Sequence, residues 1–116
     1  MTTNLDRGGV YLVEFPNIDF STWKPRPALL VQNPSIRGPY PDVLVAAITS
    51  AIETEGPTRL LVEMRSPEGR AMGLLTDSVI ALDNLATVPE RRFRRQLGVC
   101  PVMVEVNRVL RKVLSL

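Results

Sequence analysis

The sequence predicts a small α+β domain, mostly β, of about six to seven short strands followed by one C-terminal amphipathic helix. Three observations predict it. Apolar segments of strand length recur along the chain between clusters of Gly, Pro, Asn and Asp. One of them, Val43 to Ile48, is apolar without interruption, as expected of a central strand covered on both faces. Only after Pro101 does the apolar period change from that of a strand to that of a helix. A length of 116 residues suits one domain, so residues 1–116 are read as a single unit, and 45% hydrophobic residues suffice for its core.

The elements follow in order. Gly8-Gly9 marks a turn, and the β-branched and aromatic run Val10 to Phe15 reads as the first strand. Pro16 to Pro25 reads as a loop, leading to a second strand over Arg26 to Gln32. Pro34, Gly38, Pro39 and Pro41 make the next stretch irregular before the apolar third strand. Arg59 to Met64 alternates, with Leu60, Val62 and Met64 on one face and Arg59, Leu61 and Glu63 on the other, so it reads as half-exposed. Ser66-Pro67-Glu68-Gly69 has the composition of a turn. Ser78 to Leu82 reads as a further strand ending near Asp83-Asn84, and a last short one surrounds Leu97 to Val99. Val102, Val106, Val109, Leu110 and Val113 then define a helix, with Pro101 at its first position and Arg111 and Lys112 near its negative end.

Composition narrows the function. A lone Cys100 and no histidine leave no zinc-type ligand set and no internal disulfide. No apolar run approaches the ~20 residues of a membrane span, and the first residues lack a secretory h-region, so a soluble cytoplasmic protein is expected. Of the fourteen cationic side chains twelve are arginine, the side chain best shaped for phosphate. Four of these crowd into Arg91-Arg92-Phe93-Arg94-Arg95, which reads either as a nucleic-acid-facing segment combining charge and stacking or as a solvated face.

Five segments, in order, resemble the signature segments of the MazF/PemK family of toxins: Arg7 to Val13, Arg26 to Asn33, Val45 to Ser50, Asp77 to Thr87, and the terminal helix ending at Leu116. The resemblance covers nearly the whole chain. It implies a small SH3-like (PemK-type) barrel, a homodimer, metal-independent cleavage of single-stranded messenger RNA without a cofactor, and neutralisation by an antitoxin whose disordered tail occupies the RNA groove. Matched residue by residue, it places Arg26 and Thr49 on the family's main catalytic pair. Cleavage through the 2′-hydroxyl needs a cation at the developing phosphorane charge and groups that orient the phosphate. Arg26 suits the first role, and the hydroxyls of Thr49 and the adjacent Ser50 suit the second. Ser78, Asp83, Asn84 and Trp23 complete the expected RNA-binding set.

The chain also departs from the family pattern. Gly9 stands where an acidic residue is usual, and Phe20-Ser21-Thr22-Trp23-Lys24 replaces a Ser-Glu-Gln stretch. Asp83 matches an acidic catalytic position of the PemK branch, but the arginine that precedes it there by two residues is here Ala81. Asp83 and Asn84 also read as turn residues closing a strand, and Asn84 and Ala86 replace the usual Gln and Arg. Trp23 reads either as a base-stacking platform or as a lid packed on the barrel. Two functions follow: a ribonuclease toxin, or a non-catalytic binding module on the same barrel, as with the gyrase-directed toxin CcdB.

Overall fold

The computed structural model describes residues 5–16 and 21–116. The expected loop residues Asn17 to Phe20 and the first four residues of the chain lie outside the described residues. Six strands form one antiparallel sheet: β1 (Gly9–Pro16), β2 (Trp23–Leu30), β3 (Asp42–Thr49), β4 (Arg59–Val62), β5 (Ser78–Pro89) and β6 (Phe93–Val99). Their spatial order is β4-β5-β3-β2-β1-β6. A short helix α1 (Pro67–Ala71) and a longer α2 (Met103–Leu114) complete the fold. It is the mostly β, barrel-like α+β class expected of the sequence.

The uninterrupted apolar run is central for the reason its composition suggests. β3 pairs with β2 on one side and β5 on the other, and Val43, Val45, Ala46, Ala47 and Ile48 are all buried. Alternate residues serve two different cores. Val43, Val45 and Ala47 enter a cluster with Tyr11, Val13, Phe15, Ala28, Leu30, Val88 and Phe93, the interior of the coiled sheet. Ala46 and Ile48 enter the other, with Val10, Leu29, Ile80, Leu82, Val106 and Val109, where α2 covers the outer face. At about 1.5–3 kcal/mol for each fully buried Val or Ile, this strand anchors both layers.

Helix α2 seats its expected stripe: Val106 and Val109 are buried, and Val102, Met103, Leu110 and Val113 pack on the same cluster. Its start differs from expectation. The Val106 amide closes the first turn on the Val102 carbonyl, so Val102 is the cap and Pro101 stands outside it. At the other end Ser115 is left-handed, φ 58°, and the amide of Leu116 returns to the Arg111 carbonyl.

Other boundaries also move. β2 begins at Trp23, inside the expected loop, and ends at Leu30 rather than Gln32. It accommodates Pro25 and Pro27 because that stretch is in register with β1 alone; the ladder to β3 begins at Ala28. Beyond Leu30 the Gln32 side chain replaces a strand neighbour, its Oε1 accepting from the Leu44 amide at 2.8 Å. β4 stops at Val62, two residues early. The turn at Ser66 opens α1, with Ser66 Oγ accepting from the Gly69 amide at 3.0 Å and Pro67 in the first turn. β6 starts at Phe93, so the arginine run is half 3-10 turn and half strand. Most consequential, β5 does not end near Asp83 but continues to Pro89.

Gly73 lies at φ +71°, and a Cβ there would sit 2.2 Å from the Leu97 carbonyl oxygen, where the end of α1 meets β6. Gly73→Ala combines backbone strain with that clash, at a cost of about 2–3 kcal/mol. Thermal unfolding will show Tm lower by about 10 °C. Cys100 is buried, and burial pushes its thiol above the ordinary range, a hydrogen bond with the Val102 backbone opposing the rise only in part. The thiolate needed for alkylation is therefore scarce in the native protein. A thiol reagent near pH 8 will label Cys100 only after denaturant is added.

Candidate active site

Strand alternation builds the site. Tyr11, Val13 and Phe15 on β1, Leu30 and Ala28 on β2, and Val43, Val45 and Ala47 on β3 all face the interior cluster. The next residues of the same parity are Arg26 on β2 and Thr49 on β3. They lie on the same face, at the rank where the apolar side chains of β2 and β3 run out. Continuing the Ala28–Ala47 register by two residues sets Arg26 opposite Thr49. Above them opens a cleft of about 660 Å³, floored by Phe15, Ala47 and Ile48 and walled by Ser21 and Thr22. Its remaining polar lining is Arg26, Thr49, Arg59 and Asn84.

Arg26 is half-buried, and no described carboxylate pairs with it. Thr49 Oγ1 accepts from the Ala51 amide at 3.2 Å, which fixes the side chain and leaves its hydroxyl proton to donate. Asn84 reaches the cleft through an irregularity in β5. Ala46 pairs with Leu85 but its neighbour Ala47 pairs with Ala81, so Leu82, Asp83 and Asn84 bulge out without β3 partners. Asp83 therefore stands at the rim of the cleft within a strand, rather than in a turn closing one. Among the described lining residues there are two guanidinium groups and no carboxylate.

Arg59 was not among the residues nominated from sequence. Its Nε donates to Asp83 Oδ1 at 2.9 Å and its Nη1 to Thr54 Oγ1 at 3.0 Å. The alternation of β4 does place it opposite Leu60 and Val62, but its pairing with Asp83 depends on the bulge, which sequence patterning did not reveal.

The other nominated residues fall outside the cleft lining. Ser50 is exposed beside it, its carbonyl accepting from the Ile52 amide. Ser78 is buried and its hydroxyl donates to the Thr76 carbonyl at 3.0 Å. It shares parity with Ile80 and Leu82, so it faces the α2 side of the sheet, away from the expected groove. Trp23 is half-buried, and the Arg92 guanidinium lies 3.8 Å from its ring centroid. The arginine run is divided. Phe93 turns into the interior, edge-on to Tyr11 at 5.4 Å, rather than toward a base. Arg92 and Arg94 converge on Glu14 at 3.6 and 2.5 Å, while Arg91 and Arg95 are exposed. No three potential metal-ligating side chains cluster among the described residues.

Residues 6–114 match the model of the PemK-like, MazF-like toxins of type II toxin-antitoxin systems. The chain is a member of that family. It is 32% identical over 108 residues to Endoribonuclease MazF of Staphylococcus epidermidis, a match covering 90% of this chain and 86% of that one. MazF from Deinococcus radiodurans superposes with a TM-score of 0.74 at 21% identity, over 99% of this chain and all of the other, and shows the shared fold. An endoribonuclease from a mycobacterial species, solved in complex with its cognate antitoxin, gives a TM-score of 0.70 at 25% identity, with 97% of each chain covered. No helix of the described residues is long and apolar enough to cross a membrane.

Proposed function

We propose that this chain is the endoribonuclease toxin of a toxin–antitoxin pair, one domain over residues 1–116 that cleaves single-stranded messenger RNA in the cytoplasm as a homodimer. The observation that carries the reading is Arg26 facing Thr49 across adjacent strands in a cleft whose described lining holds two arginines and no carboxylate. Family membership and the Staphylococcus epidermidis relative named as an endoribonuclease support it. The 2′-oxygen attacks the adjacent phosphorus as its proton leaves, and the P–O5′ bond breaks as the 5′-oxygen gains a proton. The products are a 2′,3′-cyclic phosphate and a 5′-hydroxyl. Arg26 grips the scissile phosphate and stabilises the charge that grows on its equatorial oxygens; its very high pKa suits that role and not proton removal. Thr49 donates to a phosphate oxygen and holds the group in line for attack. Asn84 reads a base edge from the opposite wall, and Ser50 hydrogen-bonds the strand as it leaves. The mycobacterial relative solved with its cognate antitoxin supports a partner of that kind here, an acidic disordered tail competing for the same cleft.

A binding module without chemistry is the weaker reading, since it gives no reason for a cation and a fixed hydroxyl to face each other over one phosphate-sized site. Purified protein incubated with long single-stranded RNA and a chelator will produce discrete cuts with cyclic phosphate ends. Arg26→Ala will lower the rate by about 10²–10³-fold, and Thr49→Ala by about 10²-fold. Intact RNA from folded wild-type protein, or full activity in both variants, overturns the proposal.

A further inference from the structure

We propose that Arg59 is a second phosphate-binding residue of the cleft, gripping an RNA phosphate that flanks the one at Arg26, and that Asp83 is the positioning residue that holds it. This rests on the ribonuclease reading above and adds a residue to it. An arginine on an edge strand normally sweeps through solvent, and a single exposed ion pair does little to stop it. Arg59 is restrained on two sides. Its side chain is only 22% exposed, with Nε on Asp83 and Nη1 on Thr54. The Thr54 hydroxyl in turn donates to the Ala51 carbonyl at 2.6 Å, and the Ala51 amide donates to Thr49 Oγ1. A continuous hydrogen-bonded path therefore runs from Thr49 through the 3-10 turn at Ile52–Thr54 to Arg59 and Asp83. It registers the guanidinium against the residue that faces Arg26.

The direction of the side chain is equally constrained. Arg59 pairs in register with Ala81, which faces the interior cluster, so Arg59 projects along the same face and into the cleft. Nε and Nη1 are occupied, and no described residue takes up Nη2. A guanidinium held through two of its nitrogens, with Nη2 free of any described partner, is preorganised to donate to an anion. Because β3 and β5 separate β4 from β2, Arg59 and Arg26 approach the cleft from opposite sides, and one RNA strand crossing it presents successive phosphates to the two.

Binding isolates this role from the chemistry. A 2′-O-methyl oligoribonucleotide lacks the attacking hydroxyl, so its affinity across a salt series reads phosphate contacts alone. Against wild type, Arg59→Ala will bind about tenfold more weakly, and the slope of log K against log salt will fall by about 0.7, one phosphate contact on a single strand. Arg59→Lys will keep that slope while losing part of the affinity, since it retains the charge without the fork. Asp83→Asn will weaken binding at unchanged slope, and with cleavable RNA will raise KM while leaving the pH dependence of kcat unaltered. Wild-type affinity and slope in folded Arg59→Ala overturn the inference, and where that variant does not fold, wild-type affinity in Arg59→Lys does so. A loss of one limb of the kcat–pH profile in Asp83→Asn also overturns it, because Asp83 would then be transferring a proton itself. RNA left intact by every protein, with these binding differences present, removes the ribonuclease reading and leaves Arg59 as a phosphate site.

Discussion

Two neighbouring strands, β2 and β3, exhaust their apolar side chains at the same rank, and the cleft exists because they do. The apolar interior face ends at Ala28 on β2 and at Ala47 on β3, while on β1 it runs on through Val13, opposite Arg26, to Phe15. The next inward positions on β2 and β3 are Arg26 and Thr49. These polar groups need no separate scaffold; they are the last places on the face that builds the interior. Their relative position is therefore as secure as the register. Slipping β3 by one residue would exchange the two sets it buries and turn Thr49 to the opposite face. Five buried apolar residues on that strand, filling clusters of different depth on its two sides, oppose the slip.

The second device is the bulge in β5. Before it, Ile80 faces the α2 cluster and Ala81 the interior, and Leu82, its first residue, stays buried in the α2 cluster; after it, Leu85 packs toward the α2 cluster while Ala86 and Val88 face the interior. Three unpaired residues invert the parity, so one long strand keeps both layers filled while bending around the barrel. The residues expelled include Asp83 and Asn84, and thereby the other wall of the cleft acquires its polar groups. The irregularity that lets β5 serve both layers also furnishes the site.

This explains what was legible in the sequence. The six strands, the central burial of Val43 to Ile48 and the helical stripe after Pro101 each follow from local period, which sequence displays directly. Arg26 and Thr49 were nominated by resemblance, and their convergence in the cleft follows from the same parity rule. The misses have other causes. β2 was read short because Pro25 and Pro27 look like loop residues, yet a proline is tolerated where only one neighbour is hydrogen-bonded. Asp83 and Asn84 were read as a strand end because a bulge and a turn share a composition. Ser78 was placed in the groove although its own alternation with Ile80 and Leu82 turns it away. Arg59 was missed because its significance lies in a partner 24 residues distant, brought near only by the bulge.

The charge distribution carries the same lesson into function. The conspicuous feature of the sequence is the run Arg91 to Arg95, but folding commits much of it elsewhere: Phe93 to the interior, Arg92 to Trp23 and Glu14, and Arg94 to Glu14. The cleft draws instead on two arginines isolated in sequence, Arg26 between Pro25 and Pro27 and Arg59 between Thr58 and Leu60. Density of charge along a chain sets how many cations are near a surface. What an anion meets is the donors that the fold leaves unspent and holds in place. Arg26 has no described carboxylate partner, and Arg59 is restrained through two of its nitrogens with no described residue on the third. Donors available in this way, rather than local abundance, let a guanidinium take a phosphate oxygen.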